Sequence, residues 1–147
     1  MISIYTVVEI SRKISFIIFT LIFFNVDLFS QNLSGTWGYK IDGNYINLYG
    51  DKIENQNNSG RSGTLKIAIW ATSYPYTGGY INGYNLFEYQ LDPLDSRTYY
   101  YDISKTGWCT YPPNGSYSLT ILLLEYISYD FKIVDYITMN GYTNFYR

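Results

Sequence analysis

The sequence predicts an all-β protein, an antiparallel sandwich of seven or eight strands. Three observations carry that prediction. From Gln31 onward no stretch repeats its apolar residues with the 3.6-residue period that lets a helix bury one face. Gly, Asn, Pro and Ser interrupt the chain at intervals of roughly 8–15 residues, the spacing of turns in sandwiches and barrels. Between them lie Tyr, Ile, Leu and Thr, which suit a pleated, half-buried surface.

The segment ahead of this pattern is different. Arg12 and Lys13 precede an apolar run, Ile14 to Phe24, broken only by Ser15 and Thr20. A bilayer span needs about 20 such residues. A charged start, a short apolar centre and a small residue at the end describe a secretory leader, with cleavage expected after Ser30. No Cys lies near that point, so the pattern is not that of a lipoprotein. The expected organisation is therefore a leader over 1–30 and one β domain over 31–147. Secretion or residence in the periplasm follows, with membrane contact only through the leader before cleavage.

In chain order, the first strands are expected over 36–41 and 45–49, with a short one over 52–55. The Asn/Ser/Gly-rich run 55–63 is a loop by composition. Residues 64–71 alternate: Leu65, Ile67 and Ile69 share one face, Lys66, Ala68 and Trp70 the other. A Gly-rich loop over 74–83 leads to a strand over 84–91, which Asp92-Pro93 ends. Residues 98–103 form a Tyr-rich strand; because side chains alternate, the run Tyr99-Tyr100-Tyr101 must expose at least one ring. Pro112-Pro113-Asn114-Gly115 is a turn. It feeds 116–126, whose two faces are both apolar in the middle, so this strand is expected to be central and covered on both sides. A short connection then gives a strand over 131–138, and a strand-like tail follows over 142–147. Pairing Tyr126 with Phe131 sets Glu125 opposite Lys132, Leu124 opposite Ile133 and Leu122 opposite Asp135. The aromatic pair Tyr126–Phe131 and the opposite-charge pair Glu125–Lys132 are favourable across strands. In this register Glu125 and Asp135 face opposite ways and cannot flank one bond. Seven or eight strands suit an immunoglobulin-like sandwich.

Composition excludes several chemistries. The 147 residues carry 10 Lys+Arg and 12 Asp+Glu, a net charge of -2, with no His and one Cys. Without His there is no Ser-His or Cys-His nucleophile pair and no His-ligated metal. One Cys excludes an internal disulfide, a Cys-rich zinc site and a Cys-ligated iron–sulfur cluster; Cys109 is expected to be buried as a small hydrophobe. No basic cluster favours nucleic acid. No phosphate-binding glycine loop, nucleophile elbow or calcium loop occurs, and Asp42, Asp51, Asp92 and Asp95 read as solvated loop carboxylates. No cofactor and no metal are expected, and the chain is not expected to be an enzyme.

What remains is aromatic. Trp70 lies on the face opposite the Leu65–Ile67–Ile69 row, and Tyr74, Tyr76 and Tyr80 follow in the adjoining loop. Such planes stack on sugar rings or peptide side chains. Trp108 and Tyr111, beside the Pro112-Pro113 turn, form a second candidate patch. Tyr117 resembles the tyrosine that ties a loop in immunoglobulin-like sandwiches.

The run from Asn58 through Ser62-Gly63-Thr64-Leu65, with Pro112-Pro113-Asn114-Gly115-Ser116-Tyr117-Ser118-Leu119-Thr120 downstream, resembles bacterial immunoglobulin-like accessory modules of the CARDB kind. That resemblance spans about residues 55–137 and implies a binding or adhesive role with no catalytic residues. Ser34-Gly35-Thr36-Trp37 resembles the G-x-W that opens lipocalin barrels. It implies an eight-stranded barrel around an apolar ligand. The expected function is an exported, non-enzymatic module binding protein or glycan partners at the cell envelope. A carbohydrate-binding module using Trp70 and its loop is the alternative, and a lipocalin-like carrier the third reading.

Overall fold

A computed structural model of the chain describes residues 30–146; the leader expected over 1–30 lies, apart from Ser30, outside the described residues. Eight strands occur among them: β1 (Gln31–Asp42), β2 (Tyr45–Asn55), β3 (Leu65–Thr72), β4 (Tyr84–Leu91), β5 (Tyr99–Trp108), β6 (Gly115–Ile127), β7 (Asp130–Thr138) and β8 (Thr143–Phe145). They form two antiparallel sheets. The smaller has the order β1-β2-β5. The larger has the order β4-β3-β6-β7, with β8 continuing beyond β7 along the start of β6. The barrel implied by the Gly35-x-Trp37 resemblance is not formed, because β2 pairs with β5 rather than with β3. Gly35 instead sits at a bulge in β1 with φ +78°, and the Asp51 carboxylate accepts the Thr36 N–H at 2.7 Å.

Alternation builds the core. Ile46, Leu48 and Ile53 from the small sheet face Leu65, Ile67, Ile69, Leu86, Leu119, Ile121 and Leu123 from the large one, all fully buried. Each contributes roughly 1.5–3 kcal/mol of transfer free energy. Trp37 lies over Gly50, directly opposite it in the ladder, and its Nε1–H donates to Ser34 O at 3.1 Å. Cys109 is buried as expected. The residues expected as a separate strand over 52–55 continue β2, because the β1 bulge absorbs the change of face near Asp51.

β6 is central and covered on both sides: Leu122, on the face away from the core, is as inaccessible as Ile121. The β6–β7 register begins as the sequence predicts, with Tyr126↔Phe131, Glu125↔Lys132 and Leu124↔Ile133. A bulge at Val134 then shifts it. Asp135 lies opposite Leu123, and Leu122 opposite Tyr136. Asp135 therefore shares the inner face with Glu125, contrary to the sequence expectation. Both carboxylates are committed to backbone: Glu125 Oε1 accepts Gly63 N–H at 2.6 Å, and Asp135 Oδ2 accepts Leu33 N–H at 2.7 Å.

That second bond closes one lateral seam of the sandwich, between β1 and β7. At the other seam Lys105 points inward from β5 and sets its ammonium 4.5 Å from the centre of the Tyr89 ring on β4. Inward charge is one way a sheet edge is kept from pairing with another chain. At the base, buried Asn55 accepts Ser30 Oγ and Asn57 N–H and donates to Leu94 O, tying two loops and the start of β1.

Candidate functional site

A sandwich has two outer faces, and these two differ. On the large sheet, the loop between β3 and β4 folds back over the sheet. Thr72 Oγ1 donates to Tyr74 O at 2.7 Å, and Thr138 Oγ1 donates to Tyr76 O at 2.8 Å. Tyr76 is buried. Its hydroxyl donates to Gly79 O, and its ring meets Tyr136 edge-on at 4.8 Å. Burial pushes the Tyr76 hydroxyl above its ordinary pKa, with nearby Tyr136 adding to the shift. The loop thus covers part of the apolar outer face that Ala68 and Leu122 share. Trp70 stands half-buried in a row with Asn85, Thr120 and Thr138. Only Tyr74 and Tyr80 project freely, beside an open recess of about 370 Å³. Of the four residues expected at this site, the fold brings Tyr74 and Tyr80 to the surface and commits Tyr76 to the loop's own architecture.

The second expected patch separates. Tyr111 is half-buried, with its ring edge-on to Phe145 and its hydroxyl donating to Gly43 O. Tyr111 is thus a ring that ties a loop through its hydroxyl, the role expected of Tyr117; Tyr117 is a buried core ring against Tyr84 and Phe145. Trp108 remains 60% exposed and turns to the other face of the molecule.

That other face, the outer side of β1-β2-β5, holds most of the accessible aromatic surface of the strands. Tyr45 lies directly opposite Trp108, their rings 5.6 Å apart and edge to face. Tyr49 follows four residues along β2. Tyr101 and Tyr99 stand opposite Lys52 and Glu54 at the far end, their rings 6.1 Å apart. All five rings are exposed, and among the described residues no loop crosses them. The Tyr49 ring lies over Gly38, its cross-strand partner: a Cβ added there would come within 2.7 Å of Tyr49 Oη. A glycine in the sheet thus lets that ring recline and turn a face to solvent.

Polar groups fill the intervals. Asn47 and Ser104 hydrogen-bond across the ladder at 3.1 Å, with Thr106 beside them. Lys40, Asp42, Tyr45, Asn47 and Thr106 line a shallow recess of about 460 Å³. Lys52 and Glu54 form an ion pair at 2.7 Å, and Ser34 Oγ and Gln56 Nε2 also donate to Glu54. The Lys52 bond first, then that from Ser34, holds the Glu54 carboxyl at a pKa of about 2.

Sequence reasoning named Trp108 from this face as a candidate binding residue and expected at least one exposed ring in Tyr99-Tyr100-Tyr101, but it did not join them or find Tyr45 and Tyr49. A signal for the others exists: in Tyr45-Ile46-Asn47-Leu48-Tyr49 the aliphatic residues alternate with aromatic and polar ones, which places both tyrosines opposite the core. Among the described residues no group of three or more His, Cys, Asp or Glu is placed to hold a metal ion. The chain matches no known family model, no curated protein and no solved structure.

Proposed function

We propose that this protein is an exported, non-enzymatic binding module of the cell envelope, secreted or periplasmic, and that its binding face is the outer side of β1-β2-β5. The observation that carries the reading is the set of five exposed Tyr and Trp rings on one uncovered sheet face. Large exposed aromatic rings gathered on one face and interleaved with polar groups mark an interaction site. The strand order supports the immunoglobulin-like assignment. In such sandwiches the second strand pairs with the first and the fifth, and the third pairs with the sixth, beside the seventh; that adjacency is present here. The CARDB-like accessory role implied by the sequence resemblance belongs to this proposal.

Cosedimentation of the purified protein with isolated cell envelopes tests the proposal. Trp108→Ala combined with Tyr49→Ala is expected to abolish cosedimentation, whereas Trp70→Ala leaves it intact. Equal cosedimentation of the double variant and the parent would refute the assignment of the face. A second reading, sugar binding at the 73–83 loop, draws on the exposure of Tyr74 and Tyr80 beside their recess. It predicts the opposite ranking of the same variants.

A further inference from the structure

We infer that the occupant of the aromatic face is a neutral, extended polysaccharide chain lying along the strands of β1-β2-β5. The inference rests on the binding-face reading above and names its ligand class. Three features of the face carry it.

The first is shape and length. From the Tyr45–Trp108 pair to Tyr99 opposite Glu54 the register advances nine residues along β2, about 30 Å at the rise of a strand. Rings occur at both ends and, at Tyr49, in the middle. This is a linear track, not a pocket. Its length is that of several pyranose rings in an extended chain.

The second is what stands between the rings. Among the described residues, no aliphatic side chain lies on this face. The outward positions of the three strands are Tyr, Trp, Asn, Ser, Thr, Gly and charged residues. The buried centre of a protein–protein interface is largely apolar and depleted in charge. Here each ring carries its own hydroxyl or N–H and is flanked by hydrogen-bonding groups such as Asn47, Ser104 and Thr106. That composition is complementary to a sugar, which has an apolar face of C–H bonds and a rim of hydroxyls. The reclining Tyr49 presents a ring face for such stacking.

The third is charge. Lys40 is offset by Asp42 two residues away on the same face, and Lys52 is paired with Glu54. Asp51 and Asp102, at the irregularity in the β2–β5 ladder, add only negative charge, and Asp51 is already bonded to Thr36. The face has no positive excess to attract phosphate, carboxylate or sulfate groups. A neutral chain is the polymer it complements; acidic glycans, nucleic acids and anionic lipid surfaces are not.

The test is native gel electrophoresis of the purified protein through gels containing hydroxyethyl cellulose, glucomannan or β-1,3-glucan, with polygalacturonate as the acidic comparison. Retardation is expected in at least one neutral polymer and not in polygalacturonate. Trp108→Ala, Tyr49→Ala and Tyr101→Ala each weaken it by about tenfold or more, the effect of losing an anchoring ring. Gly38→Ala, which displaces the Tyr49 ring without removing it, weakens it less, and Trp70→Ala leaves it unchanged. Equal urea midpoints for parent and variants establish that the loss is one of contact. No retardation in any neutral polymer, retardation only in polygalacturonate, or retardation that survives Trp108→Ala but not Trp70→Ala would each overturn the inference. So would a concentration-dependent dimer abolished by Trp108→Ala, which would give the face to a second copy of the chain. If envelope cosedimentation still depends on Trp108 and Tyr49 while every neutral polymer fails, the glycan assignment falls and the binding face stands; if both fail, both fall.

Discussion

Replacing Gly50 with alanine places one methyl group where the Trp37 indole lies. The added Cβ would sit well inside van der Waals contact with Cδ2, Cε3 and Cε2 of that ring. Trp37 has little room to move. It is 7% exposed, belongs to the core between the sheets, and its Nε1–H is bonded to Ser34 O beside the β1 bulge. Overpacking of a filled core costs about 1–3 kcal/mol, and a rigid indole held by a hydrogen bond belongs near the upper end. Removing a glycine also restricts the unfolded chain, which returns roughly 0.4–1 kcal/mol. The net expectation is a loss of about 2 kcal/mol, or about 8 °C in Tm for a domain of this size. Gly38→Ala provides the comparison within the same sheet. Its methyl meets the far end of the Tyr49 side chain, which is 45% exposed and free to swing. The expected change there is below about 0.5 kcal/mol, as for surface substitutions generally. Urea denaturation of both variants, followed by circular dichroism, decides the matter. Equal midpoints for Gly50→Ala and Gly38→Ala would refute the argument that the indole, rather than the strand backbone, requires the glycine.

The β6–β7 hairpin turns through Ser128 and Tyr129, both at positive φ, 51° and 74°, where Asn-Gly is the preferred pair. Ser128→Asn with Tyr129→Gly is therefore expected to stabilise the protein by about 0.5–1 kcal/mol, read as a raised urea midpoint; an unchanged or lowered midpoint counts against stored strain at this turn. Leu122→Ala is expected to cost about 3 kcal/mol despite facing away from the core, because the outer-face site is fully buried. A loss under about 1 kcal/mol in thermal unfolding would show that the face behaves as ordinary surface. Glu54 titrates near pH 2 in the folded chain against an ordinary 4.5, so its contribution is complete above pH 4.5 and disappears as the pH falls toward 2. Because the Lys52–Glu54 pair is partly open to solvent, that contribution is expected to be only about 1 kcal/mol. The stability gap between the parent and Glu54→Gln should close across this window, and a gap that stays constant with pH would exclude the ion pair as its source.

The strands were legible because their period was. Ile and Leu alternate with polar or aromatic residues through β2, Leu65, Ile67 and Ile69 mark one face of β3, β6 is apolar on both faces in its middle, and the Tyr126–Phe131 pair was enough to place the start of the last hairpin in register. The β6–β7 bulge was not legible. Val134 is as ordinary in a strand as any residue, and nothing in its chemistry announces that it takes no partner opposite β6. That one extra residue moved Asp135 to the inner face. In β1 the bulge had a marker, Gly35, but its sequence neighbours pointed equally to a barrel opening. Which outer face stays open was not legible for a related reason. Alternation shows that Trp70 and Tyr45 both lie opposite the core, but not which of the two outer faces will be roofed. That depends on a loop of eleven residues, 73–83, whose fold-back rests on the long-range bond from Thr138 to Tyr76 O. Tyr45, Tyr49, Tyr99 and Tyr101 stayed exposed because, among the described residues, no comparable loop reaches across the small sheet.

The two seams have a bearing on crowded conditions. A sandwich with an open aromatic face is at risk of polymerising, and the usual route in β proteins is edge on edge, strand added to strand. Here Lys105 turns its ammonium into one seam and the Asp135 carboxylate already occupies the Leu33 amide at the other. A copy docking at the first would have to strip water from a cation, and one docking at the second would find that donor taken. Edge-on-edge growth is thus discouraged at these two margins, which leaves the broad faces as the accessible surfaces of the sandwich.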